Sequence, residues 1–230
     1  MSCWMITGAG RGIGLGIAKK ILGRGDDVIA LVRDPLKCDA LRAIEGARTR
    51  LKLLAADVAD AASLSAARAA LSQGRIDVLV NNAGIYRDRG RGILTADLDA
   101  FAETLMVNTV APLRVLQNFA PLMGKGGQVS KVATISSAMG SFQRGGDGQF
   151  SYRASKAGIN KAIQSVAAEL LQENIIAFVM HPGWVRTDMG GAGADISVEQ
   201  SATGIIRTID SAGREAAGTF LNYDGTTIPW

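Results

Sequence analysis

Seven short runs in the chain, "CWMIT", "DVIALV", "LKLLAA", "IDVLVNN", "QVSKVATIS", "IIAFVMH" and "GTFLN", are apolar at successive positions rather than at every second one. A strand with one face in water alternates, so strands without alternation are covered on both faces, as in a parallel sheet layered with helices. Longer stretches lie between them: "RGIGLGIAKKILGRG", "DPLKCDALRAI", "DAASLSAARAALSQ", "ADLDAFAETLMVNTVAPLRVLQNFAPLM", "SYRASKAGINKAIQSVAAELLQE" and "SVEQSATGIIRTID". Their apolar residues recur every three or four positions, the helical period. Right-handed crossovers between such units make a doubly wound (Rossmann) sheet. The predicted fold is therefore α/β, mostly or wholly parallel, with about seven strands and helices on both faces. In such a sheet the ligand sits beyond the carboxyl ends of the strands. The loops at that edge carry the functional information.

The 230 residues are 47% apolar and 20% charged, which fits one globular domain spanning residues 1–230. A net charge of +4 is mild, and its only local concentration is Arg87, Arg89 and Arg91. With no basic stripe interleaved with aromatics, no nucleic-acid partner is expected, and the surplus suits small anionic ligands. Cys3 and Cys38 form neither a disulfide framework nor a metal-ligand spacing, so no metal is expected. No signal peptide or bilayer-length apolar segment is visible, which predicts a cytoplasmic protein without a membrane partner.

"TGAGRGIG", residues 7–14, joins the first strand to the first helix. It is T-G-x-x-x-G-x-G, built on Gly8, Gly12 and Gly14, and not the G-x-G-x-x-G dinucleotide fingerprint. The physics is shared: glycines tighten the turn and let the backbone approach a pyrophosphate at a helix N-terminus. At the tip of the second strand Val32 is followed by Arg33. An acidic tip would bind a ribose 2′-hydroxyl, whereas an arginine accommodates a 2′-phosphate. Arg33, with Arg11 as a second guanidinium, favours NADP over NAD, although Asp34 stands beside it. "NNAG", Asn81 to Gly84, ends the fourth strand and either pairs neighbouring strand ends or lines a cofactor cleft.

The stripe Leu98, Phe101, Leu105, Pro112, Val115 and Phe119 has Asn108 where an apolar residue belongs. Pro112 has no N–H to give the Asn108 carbonyl, so a helix there must kink or recruit another partner, water included. "ISSAMG" offers hydroxyls at the end of the fifth strand. A serine-protease-like triad fails on inventory, because His181 is the only histidine and no G-x-S-x-G elbow exists. In "FSYRASKAGIN", Tyr152 and Lys156 stand four apart and share a helix face. A cation beside a phenol lowers its pKa, and reaching neutrality from about 10 takes roughly 4 kcal/mol. A surface pair with a snorkelling lysine is the competing reading of the spacing alone.

Taken in order, "TGAGRGIG", "NNAG", Asn108, "ISS", "YRASK" and "PGWVRT" resemble the short-chain dehydrogenase/reductase family, in particular its carbonyl-reductase-like branch. The resemblance implies an NADPH-dependent oxidoreductase acting on a carbonyl or alcohol, with Tyr152 as proton donor. Lys156 would tune that phenol and hold the nicotinamide ribose, Ser137 would hold the substrate carbonyl, and Asn108 would fix a water. Gly8, Arg11, Gly12, Ile13 and Gly14 would cradle the pyrophosphate, and Asp57 and Val58 would flank adenine. Asn82, Ala83 and Gly84 would line the adenosine side. Pro182, Gly183, Val185 and Thr187 would position the nicotinamide carboxamide. The "RGGDG" insertion makes the Ser137-to-Tyr152 segment longer than the family pattern. The resemblance also implies a homodimer or homotetramer. A signalling protein that uses the same nucleotide fold is the alternative function. "GGAGAD" is expected to form a loose flap over an open pocket.

Overall fold

A computed structural model of the chain describes residues 1–71, 74–87 and 92–230. Arg89 and Arg91 of the basic cluster lie outside the described residues. The elements run β1 (Cys3–Thr7), α1 (Gly12–Gly23), β2 (Asp27–Val32), α2 (Asp39–Arg42), α3 (Ala47–Arg50), β3 (Leu51–Ala55), α4 (Ala61–Ala69) and β4 (Val78–Asn81). Then come α5 (Leu98–Leu105), α6 (Ala111–Phe119), β5 (Ser130–Ile135), α7 (Phe150–Gln172), β6 (Ile175–His181), α8 (Val198–Ser211) and β7 (Phe220–Asn222).

The seven strands form one sheet in the order β3-β2-β1-β4-β5-β6-β7, every pair parallel. The missing polar alternation has the cause expected of it. On one face Trp4, Ile6, Val28, Ala30, Phe178 and Met180 pack against Ile17, Ile21, Ile205 and Ile209 of α1 and α8. On the other, Met5, Ile29, Leu79, Val132, Ala177 and Val179 pack against Leu64, Val115, Phe119, Ile159 and Ile163 of α4, α6 and α7. Successive residues of one strand thus enter two different cores. The strand order reverses direction between β1 and β4, the switch point beyond whose carboxyl ends such sheets hold their ligands.

Two predicted helices differ. "DPLKCDALRAI" forms only a 3-10 turn at Pro35–Lys37 and the single-turn α2. The Asp34 carboxylate accepts from Leu36 N–H at 3.0 Å, and Pro35 starts the tight turn, so the segment spends its residues on turns. The long helix after residue 96 is not one α-helix either. A π turn at Met106–Val110 separates α5 from α6, and Ala111 N–H bonds to Met106 C=O five residues back. Pro112 cannot donate to Asn108, and the widened turn inserts one residue just before it.

Candidate active site

The glycine loop fits a phosphate cradle. Gly8 and Gly12 have φ of +65° and +54°, conformations that glycine adopts without strain. A Cβ on Gly14 would lie 2.6 Å from Gly8 O and from Asn82 Nδ2. α1 begins at Gly12 with no side-chain cap and no acidic residue in its first turn, which leaves its N–H groups and positive dipole end to an anion. Ile13 packs against the core beneath the loop.

"NNAG" pairs neighbouring strand ends. Asn81 Nδ2 donates to Pro112 C=O at 3.2 Å, tying β4 to α6. Asn82 Nδ2 donates to Thr7 C=O at 3.0 Å and Gly8 C=O at 3.2 Å, and the Thr7 hydroxyl accepts from Asn82 and Ala83 N–H. Gly84 leaves room on the other side: a Cβ there would lie 3.2 Å from Asn108 Oδ1 and 3.7 Å from Lys156 Nζ. The motif therefore links the cradle to the Tyr152–Lys156 region.

Asn108, buried in the π turn, acts through its side chain. Its Oδ1 accepts from Ile85 N–H, and its Nδ2 donates to Ile85 C=O, both at 2.9 Å. Nδ2 also donates to Ser155 Oγ at 3.0 Å, and Ser155 in turn donates to Tyr152 C=O at 2.8 Å. The two serines after β5 separate into two roles. Ser136 donates to Asn160 and so docks the strand end on α7. Ser137 Oγ accepts from Met139 N–H at 3.2 Å and lies near enough to the Tyr152 phenol to oppose the rise of its pKa. In the "RGGDG" insertion Gly146 lies against the Arg153 guanidinium, at the start of α7.

Lys156 is buried, and its Nζ donates to Ile135 C=O at 2.9 Å and lies 5.6 Å from the Tyr152 ring centroid. Burial pushes Tyr152 up to about 12, against the Ser137 hydrogen bond, with Tyr86 adding to the rise. Burial pushes Lys156 down to about 8. The spacing argument predicted a lowered phenol. Here burial raises it, and Lys156 Nζ is engaged with the Ile135 carbonyl.

The turn after β6 faces the cradle. Pro182 C=O accepts from Ser201, Gly183 has φ +85°, and Val185 bridges to Ile196. The Thr187 methyl lies 3.6 Å from where a Cβ on Gly12 would stand. The expected flap is stitched down: Trp184 Nε1 donates to Gly190 C=O, Arg186 to Ala194 and Asp195 C=O, and Gly190 N–H to Thr187 Oγ1. Arg33 is exposed at the β2 tip. Arg11 is exposed too and pairs with Asp188 at 2.7 Å. Asp57 is exposed and Val58 half-buried at the end of β3, on the same edge. A depression of about 580 Å³ between α1 and α8, lined by Lys20, Arg24, Ile206 and Arg207, touches none of these residues.

Thr7, Ser155 and Tyr86 were not anticipated. Thr7 could have been found as the residue before the first loop glycine. The other two meet their partners only in three dimensions.

Residues 2–195 match the family model described as short chain dehydrogenase. The chain is 39% identical over 160 residues to C-signal of Myxococcus xanthus, covering 68% of this chain and 94% of that protein. The carbonyl reductase Sniffer of D. melanogaster superposes with a TM-score of 0.93 at 30% identity, over 100% of both chains. The NADPH-bound carbonyl reductase from chicken fatty liver does so with 0.92 at 31% identity, over 100% of this chain and 99% of that one. Among the described residues no helix is long and apolar enough to cross a membrane, and no cluster of metal-ligating side chains occurs.

Proposed function

The chain belongs to the short-chain dehydrogenase/reductase family, and from that premise we propose that it reduces a small-molecule carbonyl with NADPH. The observation that carries this reading is the Tyr152 phenol between Ser137 and buried Lys156, whose Nζ lies 5.6 Å from the phenol ring centroid, at the sheet edge that carries the glycine cradle. When bound, the nicotinamide supplies the hydride. The protein's own task is to hold the carbonyl and deliver one proton to its oxygen. Holding that oxygen is the role assigned to Ser137, which stands next to the phenol. Tyr152, pushed up to about 12, is protonated at neutral pH and so is ready as a general acid. Lys156, near 8, exchanges protons at working pH and can restore the one Tyr152 gives up.

NADPH is favoured by Arg33 at the strand tip and by the likeness to the NADPH-bound chicken enzyme. Arg33→Ala is expected to weaken NADPH about tenfold or more, the size of a charge-assisted hydrogen bond, and to leave NADH unchanged. The central test follows NADPH oxidation with a panel of aldehydes and ketones. Tyr152→Phe should lose at least about a hundredfold, the usual share of a general acid. A variant as active as the parent would remove Tyr152 from the mechanism.

The likeness to C-signal supports a second reading, a signalling role in which nucleotide binding matters more than turnover. A biological readout that survives Lys156→Ala, with folding intact and reductase activity lost, would favour it. Loss of both together would count against it.

A further inference from the structure

Tyr86 has no role in the scheme above, yet its ring centroid lies 4.9 Å from that of Tyr152, with the planes inclined by 39°. Its position follows from its neighbours. Asn108 holds both the N–H and the C=O of Ile85, so the peptide that leads into residue 86 has a fixed direction. Arg87, the next residue, pairs with Glu103 of α5 at 2.9 Å. The half-buried ring is thus set between two anchors and against the phenol that would protonate a substrate. Other aromatic surface is left uncovered on the same sheet edge. Phe142, after β5, is 85% exposed, and Trp184, after β6, is 53% exposed with its indole pinned to Gly190 C=O. Ligand sites are lined in this way, by aromatic faces around few polar groups.

We propose that Tyr86 is a specificity-determining residue of the carbonyl site, a flat wall that selects substrates carrying an aromatic or planar conjugated group on the carbonyl carbon. The inference rests on the reductase reading and names its substrate class. A carbonyl oxygen in hydrogen-bond reach of the Tyr152 oxygen brings the group on its carbon alongside the neighbouring ring. Offset contact between aromatic rings then favours a flat substituent over a saturated one of equal size by about two- to tenfold.

Benzaldehyde and cyclohexanecarbaldehyde differ in that respect and little in size. Their kcat/KM ratio should be the same in the parent and in Tyr86→Phe, which keeps the ring. In Tyr86→Leu the ratio should fall about two- to tenfold, through a higher KM for benzaldehyde alone. An unchanged ratio overturns the proposal. So does an equal loss of kcat on both aldehydes, because that outcome means Tyr86 only props Tyr152. Calorimetry on the NADPH-loaded protein with the unreactive benzamide and cyclohexanecarboxamide separates the two readings. If the parent reduces neither aldehyde, the reductase reading fails. The wall then stands if Tyr86→Leu weakens benzamide selectively, and falls if the amides behave alike or neither binds.

Discussion

Burial moves Tyr152 and Lys156 in opposite directions, and in both it favours the neutral form. His181, which the proposed chemistry does not use, follows the same rule. It ends β6 with Nδ1 buried and, among the described residues, without a hydrogen-bond partner. Burial, and after it Arg144, lowers its pKa from 6.5 to about 4, with Asp224 pulling the other way. The unfolded chain binds this proton more readily than the folded one. The stability tied to a neutral His181 is therefore complete above about pH 6.5 and disappears as pH falls through about 4. Urea unfolding at pH 7 and pH 4.5 should show His181→Gln losing roughly 2 kcal/mol less than the parent over that interval. Equal losses would mean that the imidazole is solvated in the folded protein.

The elements around the site are placed by close backbone approach as much as by side chains. The 3-10 turn Ala138–Gly140 follows Ser137 and lies on α7. A Cβ on Gly140 would stand 2.7 Å from the Lys156 carbonyl carbon and 2.9 Å from Ala157 N. Neither is the end of a flexible side chain, so one element must move. Gly140→Ala is expected to cost about 1–3 kcal/mol and to lower turnover more than NADPH affinity, because the shift separates Ser137 from Tyr152. Gly145→Ala, with nothing within 4 Å of its Cβ, should be silent in thermal melts and assays. A harmless Gly140→Ala would show that the turn is not seated on the helix.

The same region marks what the sequence can and cannot reveal. The strands were readable because burial on both faces removes alternation, a purely local signal. Asn108 and Pro112 were visible as a flaw in the apolar stripe, but not the π turn that resolves it, since the choice depends on Ile85 and Ser155 being there to bond. Tyr152 and Lys156 were readable as a pair four residues apart. The high Tyr152 pKa was not, because desolvation is set by surrounding elements. Tyr86 and Tyr152 are 66 positions apart and carry no shared local pattern. Arg11 and Asp188, 177 positions apart in two separate loops, are hidden for the same reason.

Across the molecule the two ends of the sheet carry different burdens. The carboxyl end holds glycine turns, exposed aromatics and the neutral phenol. The amino end is bolted. Arg24, at the end of α1, bonds Asp26 at 2.6 Å and Asp210 at 2.7 Å, and its guanidinium lies 5.0 Å over the Trp4 ring. Lys131, at the start of β5, sends Nζ to the carbonyls of Ile209 at 2.7 Å and Asp210 at 2.8 Å, in the last turn of α8. A cation there satisfies carbonyls that a helix cannot pair internally and lies at the favourable end of its dipole. It also joins the sheet to the helix that packs against α1. Lys131→Met keeps the stem and removes the ammonium, which should cost about 1–2 kcal/mol, or roughly 2–8 °C in Tm for a chain of this size. Because the loss falls at the end of the sheet remote from Tyr152, kcat/KM below the melting range should not change. A variant that keeps its Tm, or one that loses activity in step with stability, would contradict this division between a bolted end and a reactive one.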